Sequence, residues 1–290
     1  MATKATKATK TPITSFASFY DKGHCGCPDL CIVVNQVIVM AQQVSFLKLK
    51  GRIGDLTFYK TKNGHQVRTK GGVSAQRIAT DPKFQRTREN NSDFRTAQAA
   101  AKHLRDALRP IILFTYDPAM HNRLGSRMLR VVRADQVHVR GEGQVLPENL
   151  GILNNFNFND AASLANTLFE KVAVTASSQT GEVQVTVPAL DPKVRLARPV
   201  GATHYQFVAG AVALDFTEGG ESTLALASTE EHPLDRALDE DAVLSMTLPA
   251  DAGLPIAVVF GVAFYIEDRG ALYMLNNGAY NPMAIINLTV

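Results

Sequence analysis

Tryptophan is absent from this chain of 290 residues and tyrosine occurs only seven times, which leaves little for the aromatic platform of a sugar-binding surface. All three cysteines, Cys25, Cys27 and Cys31, fall near the start. From Met40 onward there is none, so the body needs no disulfide and carries no mark of a redox compartment. No run reaches the roughly eighteen apolar residues of a membrane helix; the longest, 30–41 and 255–266, fall short, and no membrane span is expected. Residues 30–41 could serve as the apolar part of a secretory signal cleaved after 39–41. Asn35 and Gln36 interrupt it and the preceding segment is long, so secretion is disfavoured and a cytoplasmic location is slightly favoured.

Catalytic signatures are missing too. There is no Gly-x-Ser-x-Gly elbow, no His-Glu-x-x-His, no phosphate-binding glycine loop and no dinucleotide fingerprint. The histidines are scattered at 24, 65, 103, 121, 138, 204 and 232. His103 and His121 lie on predicted helices, where a surface or half-buried role is the ordinary one. No catalytic residue, cofactor or metal is assigned, and a non-enzyme is expected, although a triad assembled in space is invisible to motifs.

What the chain does have is a division of charge. The net +3 conceals residues 40–145 with 20 basic and 8 acidic side chains, and residues 146–290 with 6 and 17. Lobes at +12 and −11 would attract each other between copies.

Residues 1–39 are of another kind. Three copies of Ala-Thr-Lys (2–10) lead into a Thr, Ser and Gly segment without periodicity, the composition of a disordered or non-native extension. His24, Cys25, Cys27 and Cys31 could hold zinc, but no second Cys-x2-Cys knuckle accompanies them, so no metal is assigned.

In the basic segment, 44–50, 53–60 and 66–70 alternate apolar with polar residues, and Asn63-Gly64 between the last two is a strong hairpin signal. Leu56 and Phe58 share one face, Thr57 and Tyr59 the other, so one aromatic packs and the other shows. Asn91 or Ser92 caps a helix reaching about Arg109, with Phe94, Ala97, Ala101, Leu104 and Leu108 as its buried stripe. A second helix is expected over 118–134, with Leu124, Met128 and Val131 buried and Arg123, Arg127 and Arg130 a quarter turn away. Lys60, Lys62, Arg68, Lys70, Arg77, Lys83, Arg86 and Arg88, with these three arginines, form a candidate basic face. It would meet an acidic protein surface, other copies of the chain or nucleic acid, with Tyr59 as a stacking ring; no zinc-finger, helix-turn-helix or RNA-binding signature favours the last.

Lys50-Gly51-Arg52-Ile53-Gly54-Asp55-Leu56-Thr57-Phe58-Tyr59-Lys60, with Val67–Gly72 and Asp81–Asn90 behind it, resembles the opening of a bacterial family of uncharacterised proteins. There a Gly-Ile-Gly hairpin leads through an Arg-rich connector into helices and a β-rich C-terminal part. The likeness covers about 44–160, and the family begins near the position of Met40. It implies architecture and brings no activity or ligand.

The acidic segment reads as β. Residues 182–187 alternate strictly, with Val183, Val185 and Val187 on one face. Further strands are expected at 171–176, 205–216, 224–227, 242–248, 256–266, 272–275 and 284–290, after a short helix at 160–170, with 256–266 as a central strand. Glu218 with Glu221, Glu230 with Glu231, and Asp239-Glu240-Asp241 fall in loops without a calcium-binding pattern. The expected fold is α+β: a basic β-hairpin and two-helix lobe over 40–145, then an acidic antiparallel β-sandwich over 146–290. The expected function is a non-enzymatic structural or adaptor subunit of a protein assembly, with nucleic-acid binding as the alternative.

Overall fold

Short strands that alternate apolar and polar residues must bury one face, and helices with one apolar stripe must cover something. The computed structural model describes residues 40–42, 48–69, 72–217, 220–250 and 253–289. The tail over 1–39, with its cysteines, and Lys70 and Glu218 lie outside the described residues. The chain forms two units divided after Val73.

The first unit carries a four-stranded antiparallel sheet of β1 (Met40–Gln42), β2 (Gly51–Ile53), β3 (Leu56–Thr61) and β4 (Gly64–Thr69), in the order β1-β4-β3-β2. The β3–β4 turn sits one residue earlier than expected. Thr61 pairs with Gly64, leaving Lys62 and Asn63 as the turn. Only Gly64 takes positive φ there, at 108°. The Asn63 N–H donates to Thr61 Oγ1 at 3.2 Å and the Thr61 hydroxyl donates to the Gly64 carbonyl at 3.2 Å. The threonine side chain thus closes a turn that Asn-Gly was expected to close by backbone preference.

The second unit begins with α1 (Ala75–Thr80), capped by Ser74, and a 3-10 turn at Pro82–Phe84, capped by Asp81. The chain runs from that turn straight into α2 (Gln85–Ala107), which starts well before the expected Asn91 or Ser92 cap. Residues 85–91 contain no apolar side chain, so no periodicity marks them. They are held instead by Arg88, which donates to the carbonyls of Ile78 (2.8 Å) and Asp81 (3.0 Å). Next come α3 (Arg109–Ile112), α4 (Met120–Arg133), a 3-10 segment at Pro147–Leu153 and α5 (Leu164–Thr167). The expected helix at 160–170 is therefore a single turn.

The rest is mostly strand: β5 (Ala173–Ala176), β6 (Glu182–Val187), β7 (His204–Ala213), β8 (Thr223–Ser228), β9 (His232–Pro233), β10 (Ala242–Thr247), β11 (Ile256–Asp268), β12 (Ala271–Met274) and β13 (Met283–Thr289), with α6 (Pro192–Arg195) after β6. β7 and β11 pair from Ile256↔Ala213 to Tyr265↔His204 at the centre of one sheet. β13 and β12 share the far edge of β11, and β8 and β9 the far edge of β7. A second sheet has the order β10-β6-β5. All these pairings are antiparallel, and the fold is mixed α and β.

β11 is buried on both faces over its first nine residues, which is why 256–266 reads as an unbroken apolar run. Val208, Val212, Val259 and Ala263 on one face share a core with Ala97, Leu104, Leu124 and Met128 from α2 and α4. Phe207, Val258, Phe260 and Phe264 on the other share a core with Val183, Val185, Val187 and Leu244 from the smaller sheet. The expected boundary at 145/146 therefore does not divide the structure. Two helices with one stripe cannot close a core alone, and the large sheet supplies the surface they need. Phe94, expected in the stripe, is 51% exposed. Among the described residues no helix is long and apolar enough to cross a membrane.

Candidate interaction surfaces

The register of the first sheet places Ile53, Leu56, Phe58 and Val67 on one face and Arg52, Thr57, Tyr59 and Arg68 on the other. An apolar stripe of this sort should be covered, yet no residue of 48–69 is buried, and Ile53 and Leu56 are 59% and 40% exposed. Phe58 and Tyr59 are both half-buried, so the expected contrast between a packed and an exposed aromatic is absent. The Arg68 guanidinium lies 5.4 Å from the Tyr59 ring centre, so this ring is engaged by a cation of its own sheet. Residues 40–73 carry seven Lys or Arg against one acidic residue, Asp55. Lys60 and Lys62 are exposed at and beside the β3–β4 turn and form no ion pair among the described residues.

The remaining members of the candidate basic face are not one surface. Arg77 pairs with Asp81 and Arg86 with Glu89. Arg88 is turned onto carbonyls. Arg123 donates to the carbonyls of Asn157 and Phe158, pairs with Asp117 and lies over the Phe156 ring, while Arg127 reaches the Ile152 carbonyl at 3.4 Å. With the exposed Arg130 these two arginines line an open groove of about 510 Å³ that Asp160 also enters. Arg127 fastens α4 to the Pro147–Leu153 segment and Arg123 fastens it to the residues that follow. Lys83 remains an exposed cation.

The connection from β8 to β10 is acidic. Glu230, Glu231, Asp235, Asp239, Glu240 and Asp241 are all exposed, with Arg236 the one cation among them. None forms an ion pair among the described residues. Exposed Leu226 and Val243 lie on the flanking strands. The connection also borders a cavity of about 300 Å³ lined by Tyr205, His232, Leu238, Asp239, Glu240 and Arg236. Tyr205 has no exposed surface, and its hydroxyl finds no hydrogen-bond partner among the described residues. Burial pushes its phenol up to about 12. The His232 ring lies against it, centres 5.7 Å apart.

A larger cavity of about 770 Å³ lies between α2 and the segments that follow β7 and precede β11. His103 lines it, and its Nε2 is hydrogen-bonded to Ser222 Oγ at 2.8 Å, a pair that hydrolytic chemistry could use if a carboxylate oriented the imidazole. The nearest candidate, Asp215, is engaged elsewhere. Its Oδ1 accepts from the Thr217 hydroxyl at 2.6 Å and N–H at 2.9 Å. These bonds, more than the nearby His103, hold the carboxyl below its usual range. The Asp215 N–H is meanwhile directed at Ser222 Oγ at 3.2 Å. The pair ties the post-β7 segment to α2, and no relay is completed among the described residues. No cluster of three metal-ligating side chains occurs among them either.

Neither protein-family models nor curated proteins give a match to this chain. The surfaces therefore have to be interpreted from their own chemistry. Of the candidate cations, Lys60, Lys62, Arg68, Lys83 and Arg130 are exposed, whereas Arg88, Arg123 and Arg127 are half-buried on carbonyls; no sequence signal pointed to Tyr205. Tyr205 comes beside His232 because β9 pairs with the start of β7.

Proposed function

We propose that the chain is a non-enzymatic structural or adaptor subunit that associates with further copies of itself, the basic sheet of one copy docking on the acidic β8–β10 connection of another. The observation that carries this reading is the first sheet: a +6 segment with an apolar face on which Ile53, Leu56, Phe58 and Val67 are none of them buried. A small sheet without a core of its own is marginal until something covers it. The six exposed carboxylates over 230–241, none in an ion pair among the described residues, with Leu226 and Val243 on the flanking strands, offer both the charge and the apolar contact that face needs. Contact between two different surfaces is heterologous, so it closes into a ring or runs on as a filament. The finer architecture belongs to this proposal: an antiparallel sandwich of the smaller sheet on the larger, and kinship of 44–160 with the Gly-Ile-Gly hairpin family.

Nucleic-acid binding is the competing outcome. It is weakened because five of the eleven candidate cations are committed to carboxylates or carbonyls within the chain. The test is light scattering after size exclusion on the full chain at about 50 mM and about 500 mM salt, a range over which screening changes severely. Oligomers that dissociate at high salt and show no nucleic-acid absorbance are expected. A monomer at both salts, or assembly that disappears after nuclease treatment, overturns the reading.

A further inference from the structure

The helix α2 turns two faces toward the rest of its unit. One, with Ala97, Ala101, Leu104 and Leu108, is covered by the core. Beside it Thr96, Ala99, Ala100 and His103 form a second face at spacings of three and four. Its alanines are too small to reach the opposite wall, and the cavity of about 770 Å³ lies there, closed on its other sides by the segments around Val145, Leu214–Thr217 and Gly253–Pro255. Val145, Phe216 and Leu254 are half-buried and line it together with the buried Leu214. All of these residues belong to the second unit. The volume falls within the roughly 300–1,000 Å³ of small-molecule sites, which combine an apolar wall with a few polar groups that fix orientation.

The polar groups here divide into two sets. On the strand side they satisfy one another. His103 Nε2 is bonded to Ser222 Oγ, the Asp215 N–H is directed at the same oxygen, and Asp215 Oδ1 accepts from Thr217. Gly220 packs so closely on the Asp215 carboxyl that an added Cβ would lie 2.3 Å from its carbon, so this carboxylate is engaged by its own segment. On the α2 side Arg95 is exposed at the cavity and forms no ion pair among the described residues. The Thr96 hydroxyl and the Gln144 amide are neutral hydrogen-bonding groups on the same lining. The cavity thus sets an apolar wall against one unengaged guanidinium, whose parallel N–H donors match the two oxygens of a carboxylate.

We propose that the cavity binds a small organic acid with an apolar body, its carboxylate held by Arg95 and its aliphatic or aromatic part packed against Val145, Leu214, Phe216 and Leu254. A phosphate ester fits less well, because its second charge would find no second cation on a wall that also carries Asp215. No residue of the site belongs to the first sheet or to the β8–β10 connection, so the assignment does not rest on self-association.

The experiment is isothermal titration calorimetry of the full chain with decanoate and 2-naphthoate as the aliphatic and aromatic probes, and with decan-1-ol and 2-naphthol as their uncharged counterparts. At least one acid should bind with one site per chain and more tightly than its alcohol. Arg95→Met, which keeps an apolar stem and removes the charge, should weaken the acid about tenfold or more, as for a lost charge-assisted pair, and leave the alcohol unchanged. Ala99→Phe should abolish binding of both. Ala99 is exposed, so this variant should melt with the wild type, and because Arg95 is also exposed its replacement gives a second reading that does not depend on filling the cavity. If neither acid binds, or if binding survives Ala99→Phe and so belongs to another apolar surface, the site is wrong. If Arg95→Met changes acid and alcohol alike, the cavity does not select a carboxylate and the ligand class is wrong.

Discussion

Replacing Asn281 by alanine removes a side chain that substitutes for a missing piece of strand. Along the outer edge of β11, β13 pairs as far as Gly261 and β12 begins at Tyr265, leaving a gap in which the Phe264 N–H would be orphaned. Asn281 fills it: Oδ1 accepts from that N–H at 3.0 Å, and Nδ2 donates to the Phe114 carbonyl at 2.6 Å. Asn281 is 1% exposed and Phe264 is fully buried, so water cannot replace the first bond, whereas the Phe114 carbonyl is only partly enclosed. Leaving a buried group unpaired costs about 1–3 kcal/mol. One group lost in full and one in part give a loss of about 2–4 kcal/mol. For a unit of this size each kcal/mol moves the melting temperature by about 2–4 °C, so a drop of roughly 5–15 °C is expected. Urea unfolding should show a lower midpoint with an unchanged slope. A loss below about 1 kcal/mol would mean that the gap closes by itself and that Asn281 does not act as a strand surrogate.

Three further outcomes follow from the second unit. The Asp135 carboxylate accepts from the N–H groups of Gln144, Val137 and His138 and is bonded to His138 Nδ1; these bonds, the Gln144 N–H first, hold it far below the ordinary carboxylate range. A depressed folded-state value means that its contribution is present above the unfolded value near pH 4 and is lost as the pH falls through the folded one. Asp135→Asn should therefore be less stable than the wild type at pH 7, and denaturation followed down to acid pH should show the gap narrowing below about pH 4. At Gly261 an added Cβ would lie 2.5 Å from the Pro282 carbonyl oxygen, so Gly261→Ala should push β13 off β11 and cost about 1–3 kcal/mol, read from chemical denaturation. Arg123→Lys cannot reach both the Asn157 and Phe158 carbonyls and Asp117 with one ammonium; a loss of about 1–3 kcal/mol is expected, and an unchanged urea midpoint would show that these contacts do not fasten α4.

Elements with strong periodicity were legible in the sequence. The strict alternation at 182–187 matches β6 residue for residue, and the apolar run at 256–266 is the central β11. Leu124, Met128 and Val131 are buried on α4 as their spacing predicts. Elements held by individual polar contacts were not legible. The first turns of α2 rest on Arg88 and a capped 3-10 turn, and the β3–β4 turn rests on the Thr61 side chain. Charge changes sign at 145/146, but charge records the surface, and the core there joins residues from both sides of that point. The cavity at Tyr205 was invisible for a different reason. Its walls are assembled by strand pairing, and a tyrosine whose hydroxyl has no partner looks like any other tyrosine in a strand.

The position of the division changes the electrostatic argument in a testable way. With the helices joined to the large sheet, the basic pole shrinks to the first unit, and the cations on α2 and α4 sit on the same body as the carboxylates. Two charge reversals of equal size should then behave differently. Lys60, Lys62 and Arg68 to Glu takes residues 40–73 from +6 to neutral. Lys83, Lys102 and Arg130 to Glu shifts the net charge by the same amount on exposed positions of the second unit. If association depends on the sheet meeting the β8–β10 connection, the first triple variant should be monomeric at about 50 mM salt, and the second should associate within a few-fold of the wild type. Equal losses from both would show that overall charge, and not a docked sheet, drives the assembly, because net charge acts without regard to position.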